Sequence, residues 1–502
     1  MRSIPMYADK VLFPGLRDFL SRQASMAGKI FLVGGSIRDA QLGLSTPDLD
    51  FMVFQAAPNI AKRTADTFRG AYYMLNAERN TARAIIHHKR TQFTLDFAEM
   101  RESSIEDDLA ARDFTINAMA VDLSKPDELV DPLGGREDLE AGVLRPCRVD
   151  SFRMDPIRTL RAVRFITGFH LKIEESTAAL IRESAGKIHT SSSERIRDEL
   201  FKILETTDIA TALDLLRSFG LFNILFPELV NLSAILPGEP HHHDVLTHTF
   251  RVAEYIQKLL AALKEDRYTG GDQRISKAIE ALGNYSDPLI QETQAKLNPQ
   301  RTKLGLLYLA ALYHDCGKLL ERKDGEIREI SGRDRHARFS ADVFRTVSKK
   351  FALSNVETDY IVRIIQNHMR EELKTSALPA DYAVHIYSFF RAAGLAGVLL
   401  VIFHLADLLA TYENDLEAER WQIALKSSTR LLEGWFKQHH EWISPSLPVN
   451  GDDLMVEFNL QPGEQIGETL EAIRQAIVRG EVSDRSSALA YASEFLRRGI
   501  HG

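Results

Sequence analysis

The spacing of apolar and polar positions predicts alternating strands and helices in the first part of the chain. The apolar run Ile30–Val33 predicts a strand, and the glycine pair after it leads into a short helix over residues 36–43. Asp50–Phe54 predicts a second strand, and the stretches Ala84–Ile86 and Phe93–Phe97 predict a hairpin. These elements indicate a small mixed β-sheet with helices beside it.

Helical periodicity replaces the strand pattern from about residue 155 onward. The polar stretch 264–302 is expected to be an insertion or a long loop between helices, and residues 237–240 and 444–448 mark further boundaries. The expected fold class is α+β, with a small mixed-sheet head followed by an all-α neck, a larger helical domain and a C-terminal helical tail. The corresponding domain ranges are 1–145, 146–235, 236–443 and 444–502.

Composition is typical of a soluble protein with three or more domains: 502 residues, 44% hydrophobic, 26% charged, and a mean hydropathy of −0.18. The net charge of −8 requires any nucleic-acid surface to be a local basic patch. The two cysteines, Cys147 and Cys316, lie far apart and favour a reducing cytoplasm. The longest apolar run, Gly394–Ala410, is interrupted by His404 and Asp407, so it predicts a buried core helix. We therefore expect a cytoplasmic protein without membrane contact.

Two aspartates on one predicted strand carry the strongest chemical signal. Asp48 and Asp50 alternate along the strand, so both side chains point to the same face. Adjacent carboxylates repel unless a cation lies between them, and Mg²⁺ that bridges to substrate phosphates is a suitable cation. Gly34 and Gly35 allow the backbone to approach a phosphate, and Arg38 can neutralise charge there. The pattern predicts a Mg²⁺ and nucleoside triphosphate site.

Further polar residues are candidates for the same site. Asp96, on another predicted strand, is a candidate third carboxylate on the metals; the alternative is a solvent-exposed strand residue. Arg112 is expected to contact the triphosphate, and Asp113 and Asn117 to shape the sugar pocket. The alternative for Asp113 is that it caps a helix beginning near Thr115.

A helix that begins near Pro156 is predicted to carry charged residues along one half and apolar residues along the other. Proline suits the first turn, and the aspartate before it suits the N-cap. At about 100° per residue, the charged half holds Asp155, Arg158, Arg161 and Arg164, and the apolar half holds Ile157, Leu160, Val163 and Ile166. Arginines at this spacing repel one another unless anions lie against them. The helix therefore either binds anions or is a surface helix with solvated arginines.

Asp155 and Arg158 also suit recognition of a nucleobase. Cytosine and adenine both present an amino donor beside a ring-nitrogen acceptor, whereas guanine and uracil present the opposite order. A carboxylate that accepts and a guanidinium that donates would therefore select C and A together. Protein side chains would then take the place of a template base.

The sequence resembles the class II CCA-adding enzyme and bacterial poly(A) polymerase family in the order and spacing of four motifs. They are Gly34-Gly35-Ser36-Ile37-Arg38-Asp39, Asp48-Leu49-Asp50, Arg112-Asp113-Phe114-Thr115-Ile116-Asn117-Ala118 and Asp155-Pro156-Ile157-Arg158-Thr159-Leu160-Arg161. The resemblance covers at least Lys29 to Pro227, and Glu194–Leu200 resembles the family's neck helix.

The resemblance implies that an RNA 3′-hydroxyl attacks the α-phosphate of a bound nucleotide in line and that pyrophosphate leaves. Asp48 and Asp50 would hold the catalytic metals, and Asp155 with Arg158 would read the base. Nucleotide contacts are expected from Gly34, Gly35, Arg38, Arg112, Asp113, Asn117, Arg161 and Arg164. Met154 stands where many members carry Glu, and this departure leaves the identity of the added base open; Ala111 stands where many carry Arg.

A second set of residues resembles the metal site of the HD phosphohydrolase superfamily. The set is His248, His314-Asp315 and Asp407, and His336 and His368 fall where metal-dependent members often have further histidines. Imidazoles and carboxylates on separate helices can hold a divalent transition metal. The resemblance implies a possible phosphohydrolase acting on RNA ends; the alternative is a degenerate HD fold that serves as an RNA-binding scaffold.

The leading interpretation is a template-independent nucleotidyltransferase that adds C, A or CCA to tRNA 3′ ends from CTP and ATP. A poly(A) polymerase and an enzyme that adds only CC or only A are the close alternatives. An HD phosphohydrolase with an inactive head, or a non-catalytic RNA-binding module, is disfavoured by the paired aspartates and the base-reading motif. The sequence shows no recognisable pattern of a subunit interface, so it predicts no oligomeric state.

Overall fold

The chain forms two compact units. The structure, a computed structural model, describes residue 8 and residues 11–235, 239–319, 335–374 and 382–499. The first unit comprises Met1–Glu199 and Leu215–Leu221, and the second comprises Leu200–Asp214 and Phe222–Gly502. The predicted division into four domains stays a prediction, and its boundary at residue 236 lies outside the described residues.

A seven-stranded mixed sheet forms the centre of the first unit. Its strands are β1 (Ile30–Val33), β2 (Asp48–Val53), β3 (Ala71–Asn76), β4 (Thr81–His88), β5 (Thr91–Glu99), β6 (Ala120–Asp122) and β7 (Leu129–Val130). Their order across the sheet is β3-β4-β5-β2-β1-β6-β7. The predicted strand Ile30–Val33 and the predicted hairpin, now β4 with β5, are confirmed, while β2 begins two residues earlier than expected.

Strand register aligns the acidic residues on one face of the sheet. Strand β2 pairs antiparallel with β1 and parallel with β5, where Asp50 lies opposite Asp96. Directly paired residues of neighbouring strands point to the same face, so Asp48, Asp50 and Asp96 share one. The other face carries the buried rings of Phe51 and Phe97, which stack with centroids 4.8 Å apart. Because the face that carries Phe51 and Phe97 is buried, the opposite face of the sheet presents the carboxylates.

In the first 235 residues, helices lie before, between and after the strands along the sequence. They are Pro14–Ala27, Gly35–Gln41, Ala57–Thr67, Ile105–Ala110, Gly135–Ala141, Ser151–Met154, Ile157–Phe169, Glu175–Ala185, Ser193–Leu204, Ile209–Ser218 and Leu221–Leu225. Ile157–Phe169 buries its apolar half as predicted. The predicted N-cap was wrong: Pro156 occupies the N-cap position, and the Asp155 carboxylate instead pairs with Arg195 at 2.8 Å.

The second unit is helical apart from one short two-stranded ribbon, Lys296–Asn298 with Arg301–Thr302, within the residues the structure describes. The helices from residue 239 onward are Val245–Glu265, Gln273–Leu282, Ser286–Gln294, Lys303–Tyr313, Arg335–Lys350, Asn355–Asn367, Tyr382–Ala393, Gly397–Tyr412, Ala418–Lys437, Gly451–Phe458, Glu464–Val478 and Arg485–Gly499. The last three helices form the predicted C-terminal helical piece, and they share a core that includes Leu454 and Ile473.

The expectation of a long loop over 264–302 was wrong. Two helices, Gln273–Leu282 and Ser286–Gln294, occupy about half of this stretch, and the ribbon Lys296–Asn298 with Arg301–Thr302 lies near its end. Ile275, Ala278 and Leu282 form a narrow buried stripe on the first helix, at helical spacing. Asp272 accepts a hydrogen bond from the backbone N–H of Arg274 and caps the start of that helix. A stripe of so few apolar residues is easily missed among polar neighbours.

The predicted core helix in the most apolar part of the chain is confirmed. Tyr382–Asp415 is long and apolar enough to cross a membrane by length and composition, and its most apolar stretch has a mean hydropathy of 2.1. However, 72% of its most apolar stretch is buried inside the protein. Gly397–Tyr412 accordingly packs as an internal helix, and His404 is buried within it.

We expect Gly135→Ala to lower the free energy of unfolding by about 1–3 kcal/mol, because the added methyl overpacks a closed site. A Cβ at Gly135 would lie 2.1 Å from the carbonyl oxygen of Thr115, which belongs to the backbone turn that carries Asn117. Gly168→Ala is the matched control, because no atom lies within 4 Å of its Cβ position. Urea unfolding should show the control equal to or more stable than the parent; an equally stable Gly135→Ala variant would contradict the packing described here.

Candidate active site and metal centre

The acidic residues of β2 lie exposed beside a third carboxylate. Asp48 and Asp50 are both accessible to solvent. Although water reaches Asp50, the protein atoms crowded around it, together with the charges of Asp96 and Asp48, raise its pKa, and Arg112 partly offsets this. Asp96 is held by Arg83, whose Nε and Nη2 donate to its two carboxylate oxygens at 2.7 and 2.8 Å. A divalent cation between Asp48 and Asp50 would relieve the repulsion that this geometry imposes.

The glycine pair brings the backbone close to the charged side chains. Gly34 has a φ of +79°, a conformation that glycine adopts readily. A Cβ at this position would lie 2.9 Å from Nη1 of Arg112 and 3.7 Å from Oδ2 of Asp50. A Cβ at Gly35 would lie 3.3 Å from Nη2 of Arg38. The two glycines therefore keep open the space beside the carboxylates, as a site for a phosphate requires.

Asn117 joins Arg38 to Asp113. Nη1 of Arg38 donates to Oδ1 of Asn117 at 2.5 Å, and Nδ2 of Asn117 donates to Oδ1 of Asp113 at 3.1 Å. The Arg38 guanidinium also pairs with Asp39 and lies 4.3 Å from the ring centroid of Phe169. Arg38 is thus buried and fixed in orientation, and three residues predicted for the nucleotide site lie in one hydrogen-bonded chain.

Two of the three helix arginines meet carboxylates of the protein itself. Arg161 donates from Nε to Oδ2 of Asp113 at 2.8 Å, and its Nη1 lies 3.5 Å from Glu199. Arg164 lies 3.0 Å from the same Glu199 carboxylate. The sequence left open whether anions or solvent surround these arginines; carboxylates of the protein itself lie beside them, and sequence reasoning missed Glu199 as one of these. Its position within the neck segment Glu194–Leu200 was the available signal.

The charges in this network are strongly coupled. Burial raises the pKa of Asp113, but the charge of Arg161 and the hydrogen bonds from Asn117, Arg161 and the N–H of Phe114 outweigh it, so the net pKa is lowered. Burial lowers the pKa of Arg164 to about 10 despite the attraction of Glu199. Asp113 is therefore ionised at neutral pH, as the pairing with Arg161 requires.

The predicted base readers lie at the start of the same helix. Arg158 donates to the carbonyl oxygens of Arg112 and Ala111 at 2.9 and 2.8 Å and to Oγ of Ser151 at 2.6 Å. Asp155 accepts a hydrogen bond from Arg195 at 2.8 Å. Neighbouring Met154 is 73% exposed, so it contributes little to the packing around this pair. Arg195 thus holds Asp155 in place, and Ser151 helps to hold Arg158. The sequence assigned no role to Arg195 or Ser151.

In the second unit, the residues of the predicted metal site come together from the helices Val245–Glu265 and Gly397–Tyr412 and from the turn that follows Lys303–Tyr313. Nε2 of His248 lies 3.1 Å from Oδ1 of Asp407 and 3.9 Å from Oδ2 of Asp315, and Nε2 of His314 lies 3.4 Å from the same Asp315 oxygen. Both ring nitrogens of His248 are buried, and neither makes a well-aligned hydrogen bond to a described residue, although Nε2 lies beside the Asp407 carboxylate. This donor set fits a divalent transition metal, which would satisfy this imidazole.

Asp315 also faces a second group of donors. Its oxygen and the ring nitrogens of His336 and His368 lie within 4.8 Å of one another. Nδ1 of His314 and of His368 each lie within hydrogen-bond distance of the carbonyl three residues earlier, at 2.8 and 2.7 Å. Such backbone contacts orient the Nε2 atoms toward a metal. The predicted additional histidines therefore lie beside the predicted core set.

A cavity of 650 Å³ surrounds these donors. Lys318, Lys374 and Arg420 line it and can attract an anionic ligand. Sequence reasoning missed His241, which lines the cavity, and the role of buried His404, whose Nε2 has no hydrogen-bond partner among the described residues. A lone histidine in an apolar helix cannot be told from a core residue by pattern alone.

Comparison with protein families divides the chain in the same order. Residues 30–145 match the poly A polymerase head domain, and residues 170–232 match the RNA and SrmB-binding site of polymerase A. Residues 245–412 match the HD domain, and residues 443–492 match a tRNA nucleotidyltransferase domain 2 family. Both the nucleotidyltransferase and HD families generally use divalent metals.

Two tRNA nucleotidyltransferases align over most of the chain, and a third relative aligns over about half of it. A CC-adding tRNA nucleotidyltransferase of Geobacter sulfurreducens is 27% identical over 96% of this chain and 95% of its own length. An A-adding tRNA nucleotidyltransferase of Deinococcus radiodurans is 29% identical over 92% of this chain and 95% of its own length. A multifunctional CCA protein of Vibrio campbellii is 34% identical over 47% of this chain and 60% of its own length.

Solved structures share the fold. A CCA-adding enzyme in its apo form I superposes with a TM-score of 0.60 at 21% identity, covering 97% of this chain and 96% of that chain. The Thermotoga maritima CCA-adding enzyme complexed with tRNA superposes with a TM-score of 0.57 at 21% identity, covering 99% of each chain. The matches of residues 30–145 and 245–412 to the two family models, together with the relatives that align over nearly the whole chain, define a nucleotidyltransferase with an appended HD domain. The chain belongs to the class II CCA-adding enzyme family, in its HD-bearing form.

Proposed function

We propose that the head adds C, A or both to tRNA 3′ ends from CTP and ATP. The observation that carries this proposal is the pair Asp48 and Asp50, exposed on one face of β2 beside the open space at Gly34 and the guanidinium of Arg112. Mg²⁺ held by Asp48 and Asp50 would stabilise charge on the reacting phosphate and favour ionisation of the RNA 3′-hydroxyl. Arg112 would bind the triphosphate, and Arg38 would be held for the same role by Asn117 and Asp39.

Base selection is proposed to follow from the two anchored side chains. The Asp155 carboxylate would accept a hydrogen bond from the amino group of cytosine or adenine, and Arg158 would donate to the ring nitrogen beside it. Arg195 orients the Asp155 carboxylate, because it pairs with one of its oxygens. Binding a base through Arg158 requires that guanidinium to exchange part of its present contacts with the carbonyls of Ala111 and Arg112.

The number of nucleotides added is the finer question. Relatives that add only CC and relatives that add only A align at 27% and 29% identity over nearly the whole chain. Met154 and Ala111 stand where many family members carry Glu and Arg. We therefore propose an enzyme specialised for part of the CCA end as the alternative to complete CCA addition, with poly(A) synthesis as a third possibility.

Extension of defined tRNA ends tests the proposal. Transcripts that end at the discriminator base, the first C or the second C are incubated separately with each of the four nucleoside triphosphates and Mg²⁺. We expect CTP, ATP or both to extend the appropriate ends and UTP and GTP to fail. Absence of extension on all three transcripts would overturn the proposed function, and long adenosine tracts on unstructured RNA would indicate a poly(A) polymerase.

A metal-dependent phosphohydrolase in the HD domain is a second candidate function. The observation that favours it is the intact set His248, His314, Asp315 and Asp407 within one cavity, lined also by Lys318. A transition metal bound there would activate water, and the cation would bind a phosphate. We propose phosphomonoesters or cyclic phosphates at RNA ends as the substrates, and a cytoplasmic location for the protein as a whole.

We expect His314→Ala to weaken metal binding at this centre by at least about ten-fold, because it removes a ligand and exposes the site. The metal content of purified protein after dialysis against Ni²⁺ or Co²⁺, together with hydrolysis of a 2′,3′-cyclic phosphate, measures the change. His189→Ala is the control, because that histidine is exposed on another part of the chain. Equal metal retention in His314→Ala and the parent would remove the centre from consideration, while tRNA extension should be unaffected.

A further inference from the structure

A second cavity, of 470 Å³, lies in the helical unit and shares no lining residue with the metal centre. Its wall combines two arginines, Arg363 and Arg391, with the aromatic side chains of Tyr360, Phe390 and Trp435. None of these residues has a role in the head or in the HD centre. Cationic and aromatic groups in one cavity are the combination that binds a planar ring with an attached anion.

Arg363 is held in place before any ligand arrives. Its Nε donates to Oδ2 of Asp359 at 2.7 Å, and its Nη1 donates to the carbonyl of Ala392 at 2.7 Å. The side chain lies against Gly394, whose Cβ position would be 3.5 Å from Nη1. Nη2 has no hydrogen-bond partner among the described residues, so this edge of the guanidinium can donate to a ligand.

The second arginine is more exposed. The Arg391 side chain is 66% exposed, and its Nε lies 3.5 Å from the Glu471 carboxylate. Each of the two guanidinium groups therefore already has one carboxylate neighbour, Asp359 or Glu471. Because a carboxylate partly neutralises each arginine, the cavity suits a ligand with a single phosphate, either a monoester or a diester, better than a polyanion.

Trp435 supplies a flat surface for a ring. It lies half-buried in the helix Ala418–Lys437, with its ring centroid 4.8 Å from that of Phe390 and 4.7 Å from that of His439. His439 begins a π-helical turn, His439–Ile443, a rare conformation that is frequent at functional sites. An indole that two neighbouring rings hold in place is a suitable platform for stacking a nucleobase.

Two polar atoms of the cavity wall have no hydrogen-bond partner among the described residues: Oη of Tyr360 and Nδ1 of His439. Tyr360 is 3% exposed, and burial holds its pKa well above the ordinary value, so it stays a neutral donor. Burial also lowers the pKa of His439, which leaves a neutral ring with one acceptor nitrogen. Buried polar atoms without partners need an explanation, and the edge of a heterocyclic base offers both kinds of partner.

We propose that this cavity is a second nucleotide site, in which a base stacks on Trp435 and a phosphate meets Arg363 and Arg391. The same chemistry is present in a free nucleoside monophosphate and in one nucleotide of single-stranded RNA. The site is independent of the addition reaction proposed for the head, because no residue of the first unit contributes to it.

Tryptophan fluorescence of the full chain tests the proposal directly. The three tryptophans, Trp421, Trp435 and Trp442, all lie in the helical unit, so binding at the head alone leaves their surroundings unchanged. AMP and the tetranucleotide rA4 are titrated separately in EDTA, which suppresses turnover. We expect saturable quenching by at least one of them, and Trp435→Phe should remove most of the quenching. Quenching by AMP indicates a site for free nucleotides, and quenching by rA4 alone indicates an RNA contact.

Arginine variants decide whether the cavity is responsible. Arg363→Met and Arg391→Met should each weaken binding, the first by about ten-fold or more, because a charge-assisted hydrogen bond is lost. Arg345→Met is the matched control, because Arg345 also pairs within its own helix, with Asp342, and lines neither cavity. The exposed Arg391 keeps the test informative if Arg363→Met fails to fold. Absence of saturable quenching by either probe, or affinities unchanged in Arg391→Met and in folded Arg363→Met, would overturn the proposal.

Discussion

Asp50→Asn should reduce nucleotide addition to tRNA by about 1,000-fold or more, because a catalytic metal supplies several kcal/mol of charge stabilisation. The substitution removes one of the two adjacent carboxylates on β2 and keeps the size of the side chain. The loss should appear in kcat, since the metal stabilises charge that develops in the transition state. Single-turnover extension of a tRNA that lacks its terminal nucleotides measures it.

The fold should tolerate this substitution. Asp50 is exposed, and the nearby charges of Asp96 and Asp48 disfavour its ionised form, so its neutral replacement relieves repulsion. Asp66→Asn is the matched control, because Asp66 is exposed on the helix Ala57–Thr67 of the same unit and should leave activity unchanged. An Asp50→Asn protein that is folded and extends tRNA at the parental rate would refute the assignment of the catalytic site.

Glu199→Gln should destabilise the first unit by about 3–5 kcal/mol, the cost of leaving a buried charge without its partner. Glu199 is the carboxylate neighbour of Arg164, at 3.0 Å, and also lies near Arg161. Burial lowers the pKa of Arg164 to about 10 although the charge of Glu199 raises it, so loss of that carboxylate would lower the pKa further. Urea unfolding of the variant and its parent measures the loss.

The same variant should also weaken nucleotide binding. Arg161 contacts Asp113, and Asp113 is linked through Asn117 to Arg38, so a shift of either helix arginine disturbs the side chains assigned to the nucleotide. We expect the KM for the added nucleotide to rise in protein that remains folded. Glu194→Gln is the control, because Glu194 is exposed on the same helix. A change below about 1 kcal/mol, the scale of an exposed ion pair, with an unchanged KM would contradict the network.

The sheet of the head was predictable because its signals are local. The run Ile30–Val33 is buried at every position, and the glycine after it must adopt a positive φ, so the pattern and the geometry agree. The start of β2 was placed late because Asp48 looks like a turn residue, whereas pairing with Thr94 of β5 extends the strand to include it. Pairing across a sheet depends on a partner distant in sequence, which a single segment does not reveal.

The contacts that complete each site were harder to foresee. The spacing of the helix arginines left two surroundings open, anions or solvent, because the carboxylates that lie beside them, Asp113 and Glu199, come from segments 48 and 35 residues away. In the HD domain, adjacent His314 and Asp315 stood out after an apolar helix, whereas buried His404 resembled an ordinary core residue. Spacing thus predicted which residue types gather, and tertiary packing determined which individual residues meet.

Counting nucleotides added to a tRNA that lacks its CCA end tests the central claim most directly. Purified protein, Mg²⁺, CTP and ATP are supplied together, and products are resolved to single nucleotides while released pyrophosphate is measured. We expect C, A or both to be added up to at most the three residues of CCA, with one pyrophosphate per nucleotide, and a tRNA ending at CC is included for an enzyme specific for A. Failure to extend either tRNA, or unlimited growth of the 3′ end, would contradict the account.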